Sequence, residues 1–250
     1  MSNPLLDADR WDQLSSASST APVMTVRGTT EKCVILFVLL LTTFGLTWMQ
    51  LDQDPARVFG IPTMWALIGS AILAIIAALV GGFAHRTAPV AAPIYALVKG
   101  VVLGIISWQY QKMYHGLPPL AAAFTITTLG GMLLLYNLRI VRATPMFIRT
   151  IVGATVGLML GVGVLALLNV FGVAQGATAA LYGNGAIGIG FSVLCVGLAA
   201  FNLIVDFHVI DEGERQRLPR HMEWVGALGL VVTLAWLYIE ILRLLSKLRR

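Results

Sequence analysis

Three ionisable side chains, Lys99, Asp206 and Glu240, stand inside otherwise apolar runs long enough to cross a bilayer. At the centre of a membrane helix such a group costs about 2.5–3.5 kcal/mol unless it faces protein or water. A carboxyl held there changes charge with pH, so the chemistry on offer is proton-linked gating of an ion path. By helical rise, Lys99 falls about 15 Å from the start of its run, Asp206 about 5 Å from the end of its own, and Glu240 about 24 Å along the last. Lys99 thus lies between the two acids in depth, and the expectation is a buried, coupled charge cluster lining an ion path. Other readings stay open: Glu240 reaching one headgroup layer, Asp206 reaching the opposite interface, and Lys99 paired with Glu240 or with backbone.

Little else in the chain points to chemistry. There is no G-x-S-x-G, no H-E-x-x-H and no phosphate-binding loop, so an enzyme is not expected. Gly183, Gly185 and Gly188 fit G-x-G-x-x-G, but they open a membrane helix instead of following a strand, which argues against a dinucleotide. Lys247 sits at the end of the last span, where a retinal Schiff base would need a lysine at its middle. His85, His115, His208 and His221 fall near span ends and read as interfacial residues. Cys33 and Cys195 lie in apolar runs without Cys/His spacing, so neither a disulfide framework nor a zinc site is expected, and no cofactor is.

The elements that must position these residues follow from composition. Of 250 residues 58% are hydrophobic and 12% charged, about half the charge of a soluble domain. Mean hydropathy is +0.83. The fold class is therefore an all-α membrane protein, because hydrocarbon admits only helices and closed barrels. The net charge of +5 is spread over short loops and the C-terminus and is no argument for nucleic acid. Seven spans are predicted, at about 33–51, 63–84, 90–110, 118–138, 150–171, 186–209 and 224–248, behind a polar segment over 1–30 that reads as a mobile tail or a surface-lying stretch. With no secretory signal peptide ahead of it, the first span is expected to be a non-cleaved signal anchor. Gly153, Gly157 and Gly161 repeat every four residues in the fifth span and are read as a helix-packing face. Glu240 implies that the last helix is an inner one, with the carboxylate turned toward the other spans.

Arg10, Arg27, Lys32, Arg86, Arg139, Arg142, Arg149, Arg215, Arg217 and Arg220 would lie on one side of the membrane, against Arg57 and Lys112 on the other. The first side should be cytoplasmic, with the N-terminus inside. Arg243, Lys247, Arg249 and Arg250 oppose this if the last helix crosses fully, which its length favours.

NPLL at 3–6, MTVRGTTEK at 24–32, PIYALVKGVVLG at 93–104, LRIVRATPMF at 138–147, GAIGIGFSVLCVGLAAFNLIVDF at 185–207 and MEWVGALGLVVTLAWLYIEILRLLSKL at 222–248 resemble the Bax inhibitor-1 family, in its bacterial branch with an extended N-terminal segment. The resemblance covers nearly the whole chain. It implies a seven-helix bundle with a central C-terminal helix, in a bacterial inner membrane, and a pH-sensitive leak of Ca²⁺. In similar bacterial members a pair of aspartates on the last two helices shares a proton and governs the pore. Asp206 falls at the first of that pair and Thr233, which cannot ionise, at the second. Lys99 stands where a glutamate is expected in related members, and Arg86 roughly matches a basic residue that closes the second helix. The expected function is a cation leak gated at Asp206 and tuned by Arg86, Lys99 and Glu240. An alternative is a non-conducting regulator that binds a partner such as a membrane-anchored protease, in which 1–30 would have a purpose. A third is an anion or proton path, with Ca²⁺ conduction abolished by Lys99 and Thr233.

Overall fold

The structure is a computed structural model, and it describes residues 22–173 and 175–249. Most of the predicted polar tail, residues 1–21, lies outside the described residues. The described chain forms eight α-helices and one small hairpin: α1 (Val26–Gln53), β1 (Arg57–Val58), β2 (Ile61–Pro62), α2 (Thr63–Phe83), a 3₁₀ turn (His85–Thr87), α3 (Ala88–Met113), α4 (Leu117–Asn137), α5 (Pro145–Val170), α6 (Gln175–Tyr182), α7 (Ala186–Arg215) and α8 (Met222–Leu248). Among the described residues seven helices, all but α6, are long and apolar enough to cross a membrane. The chain is an all-α membrane bundle.

Local chemistry sets the helix ends. The Thr25 hydroxyl accepts from the Gly28 N–H at 2.9 Å and starts α1. Pro118 and Pro119 occupy the first turn of α4, after Gly116 at φ 79°. Thr144 caps α5 ahead of Pro145. The hairpin pairs Val58 with Ile61, and its two turn residues, Phe59 and Gly60, both have positive φ, as a two-residue type I′ turn requires. One expectation is corrected here. The sixth span ends at Arg215 instead of 209, since hydropathy marks where hydrocarbon ends and not where a helix does. The uncharged stretch after α5, where no span is predicted, contains α6.

α8 is the most deeply buried of the seven spans and packs against α1, α2, α3, α4 and α7. Val231, Leu237 and Leu242 on it are wholly buried. It crosses the bundle from end to end. At its start Glu223 meets Thr25 and Lys32 of α1, and at its finish Arg249 donates to the His115 carbonyl between α3 and α4, 2.7 Å away. The helix does not re-enter.

The face carrying the start of α1 is strapped shut. Met24 N–H donates to the Leu218 carbonyl at 2.7 Å and Arg220 N–H to the Pro22 carbonyl at 3.0 Å, with a bridge between Val23 and Pro219. Beneath this strap the buried Glu223 carboxylate accepts from the Thr25 N–H at 3.0 Å and its hydroxyl at 3.1 Å, and pairs with Lys32. The Lys32 ammonium also stands 5.6 Å from the centroid of Trp224. Gly28 gives the Glu223 carboxylate its place, since a Cβ there would make that side chain shift.

The glycine run expected to pack helices does not do so within the chain. A Cβ at Gly153, Gly157 or Gly161 would meet nothing, and no residue of α5 is buried among those described. The close approach is made by Gly100 and Gly104 on α3. A Cβ at Gly100 would run into the Leu40 carbonyl and the Thr43 hydroxyl of α1, and one at Gly104 would come within 3.0 Å of the Phe44 carbonyl oxygen. Spacing alone could not separate the two runs, because both repeat every four residues.

Gly100→Ala should therefore cost about 1–3 kcal/mol, because backbone has to move, while Gly157→Ala should stay within about 0.5 kcal/mol of the parent protein. Reversible unfolding in mixed detergent micelles measures both, and equal effects would contradict the packing described. Glu223→Ala leaves Lys32 in the interior without its carboxylate and should cost about 3–5 kcal/mol. A melting temperature unchanged from that of the parent would show that the latch contributes no stability.

Candidate functional site

Asp206 lies on the face of α7 turned to α8, nine residues before the helix ends at Arg215. Nine residues of helix rise about 14 Å, so the carboxyl stands deeper from the helix end than the predicted span boundary implied. Opposite it on α8 are Gly229 and, one turn on, Thr233. A Cβ on Gly229 would be 3.6 Å from Asp206 Oδ1, an ordinary van der Waals contact that places the carboxyl directly against this turn of α8. The Thr233 side chain is a hydrogen-bond partner of Asp206, and the Cys33 thiol of α1 lies within electrostatic reach of the same carboxyl. The two positions paired by sequence resemblance thus do face each other, with a hydroxyl where the second carboxyl is expected.

One oxygen of this carboxyl, Oδ2, is shut off from solvent and has no hydrogen-bond partner among the described residues. A buried acceptor left unmade is costly and uncommon. Such a group can take up a proton, or accept from water or a polar ligand that enters the junction of α1, α7 and α8. It cannot hold Ca²⁺ by itself, since that ion takes six to eight oxygens. Among the described residues no group of three His, Cys, Asp or Glu side chains is placed to hold a metal.

Glu240 does turn inward, as expected, and is buried. It is not coupled to Lys99. It pairs with Arg243 on its own helix at 3.0 and 3.1 Å and accepts from the Trp236 indole at 3.3 Å. Arg243 in turn lies 5.2 Å from the centroid of Tyr182 on α6. Seven residues of α8, about 10 Å of rise, separate Glu240 from Thr233. Lys99 is half-buried on α3, on the face that carries Tyr95 and Leu103 four residues to either side, both in the core shared with α1, α2 and α8. No carboxylate pairs with Lys99 among the described residues. Arg86 is exposed in the 3₁₀ turn. The predicted charge cluster is therefore three separate sites. Depth along a helix was legible in sequence, but the direction in which each side chain leaves its helix was not.

The structure adds polar partners that sequence reasoning did not find. Lys32 and Glu223 form the latch. Ser107 and Tyr238 share a hydrogen bond at 2.7 Å between α3 and α8, and the Tyr136 hydroxyl donates to Asp211 at 2.7 Å between α4 and α7. Lys247 is buried and donates to the carbonyls of Leu181 at 3.0 Å and Gly188 at 2.8 Å. Each joins residues far apart in the chain, so no local motif marks them.

No curated protein and no solved structure matches the chain. The family model described as Bax inhibitor 1 like matches residues 3–250, which is essentially the whole sequence, and the chain belongs to that family.

Proposed function

We propose that this protein is a pH-sensitive leak path for cations, Ca²⁺ foremost, gated by the protonation of Asp206. The observation that carries the reading is the buried Oδ2 of Asp206, an acceptor without a partner where three helices meet. Protonation removes one full charge from this apolar junction, and the packing of α7 on α8 is what that charge acts on. Thr233 supplies a hydroxyl that can hydrogen-bond either form of the carboxyl. One titrating group thus does here what a proton-sharing pair does elsewhere. Lys99 would act as a fixed cation in the core beside the path, while Glu240 with Arg243 and the exposed Arg86 tune the field from the two ends.

The basic residues support an N-terminus in the cytoplasm, and the bacterial inner membrane is what the family resemblance implies. Arg27, Lys32, Arg86, Arg139, Arg142, Arg149, Arg215, Arg217 and Arg220 lie toward the strapped face. Of the cations toward the other face, Arg243 is occupied by Glu240, Lys247 by two carbonyls and Arg249 by a third. Three of the four C-terminal charges that count against this orientation by sequence are thus paired or bound within the protein, which weakens their pull on topology, and Arg250 lies outside the described residues.

Proteoliposomes loaded with a Ca²⁺ dye test the reading. The parent protein should leak Ca²⁺ at a rate that varies with pH. Asp206→Asn, an uncharged mimic of the protonated carboxyl, should leak at the rate the parent shows in acid, at every pH. A pH profile shared by both proteins would sink the proposal. Thr233→Asp places two carboxyls in one junction, and the midpoint of the profile should move by about one pH unit or more.

A further inference from the structure

On the strapped face, where α4 turns into α5 beside the end of α7, the structure holds a polar cavity of about 550 Å³. Arg139 and Arg142 of the α4–α5 turn and Arg215 of α7 line it, together with His208, Asp211 and Tyr136. Its single carboxylate, Asp211, already accepts the Tyr136 hydroxyl at 2.7 Å. None of the three arginines forms an ion pair among the described residues. Three guanidinium groups therefore share a cavity with one acid, and the surplus is two positive charges.

The backbone holds one of these arginines in a costly conformation. α4 closes with the Ile140 N–H donating to the Leu135 carbonyl at 3.1 Å and the Arg139 N–H to the Tyr136 carbonyl at 3.0 Å. In this closure the residue after the cap is left-handed and is usually glycine. Here it is Arg139, at φ 56°. A side chain is kept where a bare backbone would be easier, and it lines the cavity.

The surroundings of the cavity say what kind of ligand it would meet. Leu138 and Ile140 bracket Arg139 and are 67% and 65% exposed, and Met146 beyond Arg142 is 80% exposed. Side chains this apolar and this open, at the end of membrane spans, belong in the outer hydrocarbon, so the mouth of the cavity lies at headgroup level. Planar guanidinium forks match phosphate oxygens in pairs, and basic pockets between helices at this depth take anionic lipid headgroups.

We propose that the cavity lined by Arg139, Arg142 and Arg215 seats the phosphate of an anionic phospholipid headgroup, whose acyl chains lie along Leu138, Ile140 and Met146. The site is separate from the Asp206 junction and does not depend on ion conduction.

The test uses the full chain in a neutral detergent, titrated with short-chain phosphatidylglycerol, short-chain phosphatidylcholine or inorganic phosphate, with binding read by calorimetry. Phosphatidylglycerol should bind the parent protein, with phosphatidylcholine and phosphate at least about tenfold weaker. Each arginine replaced by glutamine should weaken phosphatidylglycerol about tenfold, so R139Q/R142Q/R215Q should all but abolish it. R57Q/K112Q, which removes two cations from the opposite face, should bind as the parent does. Equal affinity for the two lipids, or full affinity in the triple variant, overturns the proposal. Phosphate binding as tightly as phosphatidylglycerol also overturns it, in favour of a soluble anion. Should R139Q/R142Q/R215Q not fold, R139K/R142K/R215K keeps the charge but loses the planar forks. Weaker phosphatidylglycerol binding there supports the seat, and parent-level affinity overturns it.

Discussion

A charge carried into hydrocarbon has to find a partner within the protein, and α8 is where this chain meets that constraint most often. Its first turn places Glu223 against Lys32 and Thr25, its last third pairs Glu240 with Arg243, and Lys247 is spent on two backbone carbonyls. The first and the last of these contacts tie the axial helix to its neighbours: the start of α1 at one end, and α6 with the start of α7 at the other. A helix fixed this way at both ends can be apolar in between and still have one position in the bundle. Around it, α3 approaches α1 closely because Gly100 and Gly104 have no side chains to keep the backbones apart.

Against that background Asp206 stands out, along with Lys99, which has no carboxylate partner among the described residues. Glu223, Glu240 and Lys247 are matched by charges or carbonyls, whereas Asp206 has a hydroxyl and a thiol near it and one oxygen with no partner at all. A fully satisfied polar network fixes a structure, while an unsatisfied buried acceptor marks a place where something can arrive or change. The neighbouring elements differ in the same sense. α8 is locked to α1 through the latch, but the contact of α7 with α8 at this level runs through Gly229 and Thr233, which can yield without breaking an ion pair. A proton or a water entering there acts on a level of the α7–α8 contact that no ion pair holds.

The arginine cavity stands apart from this axis. It is built by the turn after α4 and the end of α7, both of which close with an arginine in the left-handed position, Arg139 at φ 56° and Arg217 at φ 53°. The strap made by Pro22–Thr25 leaves the Arg139 side of that face open. The same face thus carries a closed latch near the bundle axis and an open, positively charged recess at the lipid boundary.

The sequence by itself determined the class and the count. Seven apolar runs, little charge and the requirement that backbone be satisfied within each segment leave only a helical membrane bundle. It also pointed to the last helix as an inner one, because Glu240 is costly facing lipid unless it reaches the headgroups. Three things it left to the tertiary structure. Which glycine run packs was one: Gly153, Gly157 and Gly161 have the same spacing as Gly100 and Gly104, and only the presence of α1 beside α3 separates them. Which charges meet was another: Lys99, Asp206 and Glu240 were placed in depth by helical rise, but the azimuth of each depends on how its helix is rotated against its neighbours. The third was the set of long-range partners, such as Glu223 with Lys32, 191 residues apart, and Lys247 with the Gly188 carbonyl, 59 residues away. Periodicity reports which environment a residue needs. The identity of the partner that supplies it is fixed only when the helices pack.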